Sequence, residues 1–300
     1  MNRGKSPIMT AGIRLGIAMA TVTILFGCGA PTAGRVGESP VQAPADIVLG
    51  CCDRSGIYSD WVIGLADGNA EIIRRVGGLR VRPGRLVRHE KAQALILDAL
   101  RPLDIVFMNS KNRMSGLLIP GHFTHGAIYI GTEAQLRAQG YWSVPSLAPW
   151  RDKISSGSVF LEAVDGGVRL VPPATVLDTD ALLVLRPQGV NKANALSRGI
   201  NRMGVPFDMR FDASEPSALF CAELIDLIFP EIDLPRMSVS DRETILIDAI
   251  VAGALSGDLT FDMVGYVKAT RRGGLRTLSP HGLARDVRRA WPNAREPSES

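Results

Sequence analysis

Residues far apart in this chain could together perform nucleophilic chemistry. Cys221 opens the stretch Phe220-Cys221-Ala222-Glu223-Leu224-Ile225-Asp226-Leu227-Ile228-Phe229, in which Ala222, Leu224, Ile225, Ile228 and Phe229 follow helical spacing. A cysteine attacks as thiolate, and the partial positive charge and free N–H groups of a helix N-terminus favour that anion. His125 lies in Gly121-His122-Phe123-Thr124-His125-Gly126-Ala127-Ile128-Tyr129-Ile130-Gly131, which reads as a buried strand with a histidine at its mouth. An imidazole beside a thiol takes its proton and later returns it to a leaving group. The ring needs a third group to hold its tautomer. Glu162, a carboxylate inside the apolar run Val159-Phe160-Leu161-Glu162-Ala163-Val164, is the candidate.

Each of these residues also has a plainer role open to it. Free cysteine is commonly a small buried hydrophobe, His125 could be a satisfied core or turn histidine, and Glu162 could cap a turn or pair with Arg169. His122 is a rival base on the loop side of the strand and ranks below His125. The two histidines, three residues apart with no Glu between them, do not make a zinc pattern, and no Gly-x-Ser-x-Gly elbow is present.

The elements that must position these groups can be read from apolar runs and breakers. Residues 60–101 carry helix-like patches, the last ending at Arg101-Pro102-Leu103-Asp104, after which Ile105-Val106-Phe107-Met108 begins a sheet. Alternation along the next strand places His125, Ala127 and Tyr129 on one face and Thr124, Gly126, Ile128 and Ile130 on the other, with Gly126 leaving room for a backbone or a substrate. Residues 135–158 read as a loop whose Trp142 and Trp150 would shape the mouth of the site. Asp165-Gly166-Gly167 turns the Glu162 strand into Val168-Arg169-Leu170-Val171 as a hairpin. Ala181-Leu182-Leu183-Val184-Leu185-Arg186-Pro187 is a strand buried on both faces. Helices are expected over 191–203 and around 244–250, with a last strand over 259–268.

The chain has 300 residues, 46% hydrophobic and 21% charged, enough for one sizeable core. Arg3, Lys5 and Arg14 precede an apolar run, Leu15 to Phe26, that reads as a secretory leader over 1–27. Without those three, 31 basic residues face 30 acidic ones, a balance that gives no reason to expect nucleic acid as a partner. Residues 28–46, rich in Gly, Pro, Ser and Ala, read as a flexible tether. Residues 47–268 then form one folded domain, with a helical segment over 47–101, and 269–300 read as a basic, frayed tail. If Cys28 is consumed at the mature N-terminus, Cys51, Cys52 and Cys221 remain, an odd number that argues against a disulfide framework. Cys51 and Cys52 are expected unbonded, as small apolar residues at a strand end after Ile47-Val48-Leu49-Gly50.

Taken together, Pro102-Leu103-Asp104-Ile105-Val106, the Gly121–Gly131 stretch, Leu161-Glu162-Ala163 with its Gly-Gly-Val turn, Val184-Leu185-Arg186-Pro187, Pro206-Phe207-Asp208 and Phe220-Cys221-Ala222-Glu223-Leu224 resemble the permuted papain-like amidase family of YaeF/YiiX type, within the wider NlpC-like cysteine hydrolases. His precedes Cys here, as in that permuted group. The resemblance implies an α+β, circularly permuted papain-like fold with an antiparallel sheet packed against the helix that carries the nucleophilic Cys. It also implies Cys221 as nucleophile, His125 as general base and acid, and Glu162 as orienting residue, with no metal or organic cofactor. Where the family usually shows Ser after the nucleophile and Tyr in a Pro-Tyr-Asp motif, this chain has Ala222 and Phe207. The backbone N–H of Cys221 would serve an oxyanion hole, with the Tyr129 hydroxyl as candidate second donor. Leu25-Phe26-Gly27-Cys28 resembles a bacterial lipobox, which implies lipidation of Cys28 and a membrane-anchored envelope protein, an ordinary signal peptide being the other reading. The expected substrates are cell-envelope peptides or acyl lipids. A non-catalytic envelope binding protein that keeps the core is the rival.

Overall fold

A computed structural model describes residues 42–52, 79–215, 217–239 and 242–291. Helix α1 is Pro44–Val48 and α2 is Glu90–Ala99. Seven strands form one sheet: β1 Ile105–Met108, β2 His125–Tyr129, β3 Phe160–Val164, β4 Gly167–Val171, β5 Ala181–Pro187, and the later β8 Phe261–Ala269 and β9 Leu275–Leu278. Between β5 and β8 come α3 Lys192–Ile200, α4 Cys221–Ile228, a small hairpin of β6 Met237–Val239 and β7 Arg242–Thr244, and α5 Ile247–Ser256. Helix α6, Pro280–Ala290, ends the described chain. The sheet order is β4-β3-β2-β1-β5-β8-β9, and every neighbouring pair is antiparallel.

This is the expected α+β sheet, and its interior strands explain the sequence pattern. β1 lies between β2 and β5, so all four of its residues are buried. Helices α3 and α4 close one face. A Cβ added to Gly199 of α3 would stand 3.0 Å from Ile228 Cδ1 of α4 and 3.0 Å from Leu161 Cδ2 of β3, so glycine lets three elements meet. Gly126 does the same for α4 and β2: its added Cβ would stand 3.0 Å from Ile225 Cδ1 and 3.1 Å from Phe107. The room beside His125 is filled by a helix side chain, not by a backbone or a substrate.

Several expectations change. Ile47 and Val48 lie in a helix that packs on α5 and α6, and Cys51 and Cys52 are joined by a vicinal disulfide, leaving Cys221 as the free cysteine among the described residues. Helix α1 starts at Pro44, so the helical region begins before residue 46 and inside the expected tether. The tail expected from 269 onward instead contains β9 and α6, because Leu283, Ala284 and Val287 recur on one face of a largely basic helix and are buried, as is Trp291 just past its end. The helix expected around 244–250 runs from 247 to 256, with β7 occupying 242–244. The loop 135–158 contains helical turns at Glu133–Ala138, Pro145–Trp150 and Arg151–Ser155. The leader, Cys28, most of the tether and much of the 47–101 segment lie outside the described residues. Of that segment, residues 82–85 are fastened across 178–180: Arg82 Nη1 donates to Asp180 Oδ1 at 2.8 Å, and Gly84 N to Asp178 Oδ1 at 2.6 Å.

Candidate active site

His125 is the first residue of β2, so its imidazole stands at the strand's end. Ala127 pairs with Glu162 across β2 and β3, which makes His125 and Glu162 diagonal neighbours on one face. Their side chains meet, with Nε2 of His125 2.9 Å from Glu162 Oε2. The two-residue turn Asp165-Gly166 places Arg169 directly opposite Glu162, and its Nε and Nη2 donate to Glu162 Oε1 at 3.1 and 3.0 Å. One carboxylate thus holds an imidazole with one oxygen and a guanidinium with the other. The pairing with Arg169 and the contact with His125, alternatives from the sequence, occur together.

Cys221 arrives from the other side. Leu219 N donates to Pro206 O at 2.8 Å and Phe207 bridges Leu219, so the Pro206-Phe207-Asp208 segment fixes the approach to α4. Asp208 stiffens that segment by accepting the N–H groups of Arg210 and Asp212 at 2.7 and 2.5 Å. Phe220 is extended at the N-cap, and Cys221 is the first residue of the helix, 7% exposed. Its thiol faces His125, near enough to act on the charge of the ring. With Nε2 committed to Glu162, Nδ1 is the ring nitrogen left for sulfur.

Burial works against a charged ring at His125. The interactions with Cys221 and Glu162 outweigh it and raise the imidazole to about 10. Burial pushes Glu162 up, but His125 and Arg169 prevail and hold it below the usual carboxylate range. The arrangement therefore favours a charged imidazolium beside the Glu162 carboxylate, a ring that already carries a proton.

The structure brings Cys221, His125 and Glu162 together and leaves Tyr129 out. Tyr129 sits four residues along β2 from His125, about 13 Å at strand rise, and its hydroxyl donates to Gln135 Oε1 at 2.7 Å. As a second oxyanion donor it is misplaced. The tryptophan loop leaves and re-enters the sheet where Tyr129 pairs with Phe160, at the far end of β2 from His125. Trp142 lies under Arg137 and Arg151, and Trp150 under Lys153. His122 joins a different cluster: its Nε2 is 2.7 Å from the Tyr266 hydroxyl, which donates to Asp286 Oδ2 at 2.9 Å. The sequence pointed to the pairing of Glu162 with Arg169 but gave Asp208 and Glu223 no roles. The hairpin register was the available signal for Arg169. A separate cavity of about 510 Å³ lies between α1, the vicinal disulfide, residues 233–237 and α5, and none of the three site residues lines it.

A helix-start thiol, a strand-borne imidazole and a carboxylate thus face one another, in the chain order His, Glu, Cys. The profile of the permuted papain-like amidase enzymes, YaeF/YiiX, C92 family, matches residues 100–249. The chain belongs to this family, so its fold is permuted papain-like and its activity is that of a cysteine amidase or peptidase. The match ends within α5 and leaves β8, β9 and α6 beyond it. No curated protein and no solved structure matches the chain.

Proposed function

We propose that Cys221 is the nucleophile, His125 the general base and acid, and Glu162 the residue that orients the imidazole, in an enzyme that opens amide bonds of cell-envelope peptides or acyl lipids. The thiolate of Cys221 attacks the carbonyl carbon, and the oxyanion forms against the Cys221 backbone N–H, a free donor of the helix N-terminus. His125 passes its proton to the departing amine, leaving a thioester. Water, deprotonated by His125, then releases the acid and regenerates the thiol. A second acyl acceptor in place of water makes the same intermediate a transferase step. Lipidation at Cys28 would hold this chemistry at the bacterial cell envelope, and the mechanism requires no metal or organic cofactor.

The observation that carries this reading is a single ring held by Glu162 at 2.9 Å on one side and facing the helix-start thiol on the other. Its test is the pH dependence of Cys221 alkylation by iodoacetamide, read by peptide mapping, in the wild type and in His125→Ala. Reaction that stays fast at pH 6, where an ordinary thiol with a pKa of about 8.5 is protonated, and that slows when His125 is removed, is the expected result. A Cys221 that reacts as an ordinary thiol regardless of His125 would sink it.

A further inference from the structure

Glu223, two residues after the thiol, is 2% exposed and takes no part in the chemistry described above. Its carboxyl faces the backbone N–H of Phe220, the N-cap of α4, while one of its oxygens, Oε2, is buried without a hydrogen-bond partner. A Glu at the third helical position reaching back to the N-cap amide is half of a capping box, and its ordinary form is ionised and solvated. Here neither applies. The charged groups that face it are Asp208 from the segment before α4, Asp226 from the next turn of its own helix, and Arg236 from the residues before β6. Asp208 already accepts two backbone N–H groups. Arg236 is committed to Asp226 at 2.7 Å and Glu243 at 3.3 Å.

We propose that Glu223 is a positioning residue for Cys221, working as an uncharged acid: it ties down the Phe220 amide so that the Cys221 amide is the first free donor of the helix, and adds no anion beside the thiolate. The inference rests on the proposed role of Cys221. An ionised Glu223 would be a buried charge with an unpartnered oxygen next to the Asp208 carboxylate, the arrangement a protein interior least tolerates. It would also repel the thiolate and weaken the positive end of the helix on which both thiolate and oxyanion depend. Burial first, then Asp208 and Asp226 against the pull of Phe220 N–H and Arg236, push this carboxyl up to about 8, so the acid form prevails at neutral pH.

The site then has two titrations on its alkaline side, Glu223 near 8 and His125 near 10. The experiment is alkylation of Cys221 by iodoacetate, an anionic probe drawn by the positive field at the thiol, from pH 5 to 10 in the full chain. It compares wild type, Glu223→Gln and His125→Ala, each rate normalised to its own value at pH 7. In the wild type the rate is expected to fall through about pH 8, and in Glu223→Gln, which keeps the acceptor and cannot ionise, to hold until about pH 10. That separates the two curves by about tenfold at pH 9, the ratio a single titration gives one unit past its midpoint. Superimposed curves with a fast, His125-dependent reaction would overturn the role of Glu223 alone. A slow thiol indifferent to His125 would overturn the nucleophile assignment and this inference with it. Should Glu223→Gln not fold, the infrared carboxylic-acid band of the wild type decides: one acid band must disappear through about pH 8, and the absence of any band titrating there refutes the proposal.

Discussion

His122 and His125 stand three residues apart, yet the molecule treats them in opposite ways. His125 faces a thiol and a carboxylate and is raised to about 10. His122 is lowered to about 4: burial dominates, and Lys268, Lys111 and Arg289 add to it against the single carboxylate of Asp286. The loop that carries His122 is itself fastened. Asp248 accepts the N–H groups of His122 and Phe123 at 2.5 and 2.9 Å and the Trp291 indole at 2.7 Å. Residues from α5, β8 and α6 thus make one histidine a neutral structural group, while β3 and α4 make its neighbour the charged centre of a site. The identity of the side chain sets neither role; the charges facing each ring do.

The largest way to break this contrast is His125→Ala. Loss of a positioned general base lowers turnover of an activated acyl ester by about 10²–10⁴-fold, whereas His122→Gln is expected to leave the pH profile of the same assay unchanged in shape. Next in size is Glu162→Gln, which removes the anion but keeps an acceptor. The His125 midpoint should drop from about 10, visible in the titration of its ring proton by NMR, with a loss of about 10–100-fold in turnover, below the general-base effect because the ring remains. Stability follows with a definite sign. A histidine raised in the folded state contributes stability that is complete below its unfolded value of about 6.5 and lost as pH rises toward about 10. The thermal midpoint of the wild type should therefore decline over that window, and that of Glu162→Gln should decline less.

Much of this arrangement was legible because it rests on local signals. Strand alternation put His125 and Glu162 within the sheet, and the apolar spacing after Cys221 gave the helix with the thiol at its first turn. What was illegible depends on contacts distant in sequence. The Tyr129 hydroxyl, assigned to the oxyanion, is taken by Gln135 six residues on, and alternation identifies a face without saying how far along the strand a group stands. The arginine-rich stretch after 269 hid a helix with only four apolar anchors, three in the helix and Trp291 just past it, whose partners lie in other elements. Cys51 and Cys52 illustrate the same limit: general geometry made a bond between adjacent cysteines improbable, and this backbone forms one.

Two smaller effects sharpen the comparison from the structural side. A histidine depressed in the folded state contributes stability that is present above its unfolded value of about 6.5 and declines as pH falls toward about 4. His122 accounts for up to about 3 kcal/mol over that window, so His122→Gln should flatten the acid limb of the stability curve while leaving in place the decline between about pH 8 and about pH 10, above the Glu223 titration, which belongs to His125. Two mirrored limbs removed by two separate substitutions would establish the contrast; a single variant that flattens both would show that the rings titrate as one unit. Smaller still is Gly126→Ala. The new methyl would meet Ile225 Cδ1 at 3.0 Å and the Phe107 ring at 3.1 Å, a contact that flexible side-chain ends can relieve for about 1 kcal/mol. Because Ile225 is one turn along α4 from Cys221, that relief moves the thiol relative to His125 while the His122 cluster, held by Asp248 and Tyr266, stays where it is. The expected signature is a slower iodoacetamide reaction at Cys221 with the NMR titration of His122 unchanged. An unaltered alkylation rate would mean that α4 is positioned by Phe207 and Asp208 alone, and that its packing on β2 has no part in aligning the pair.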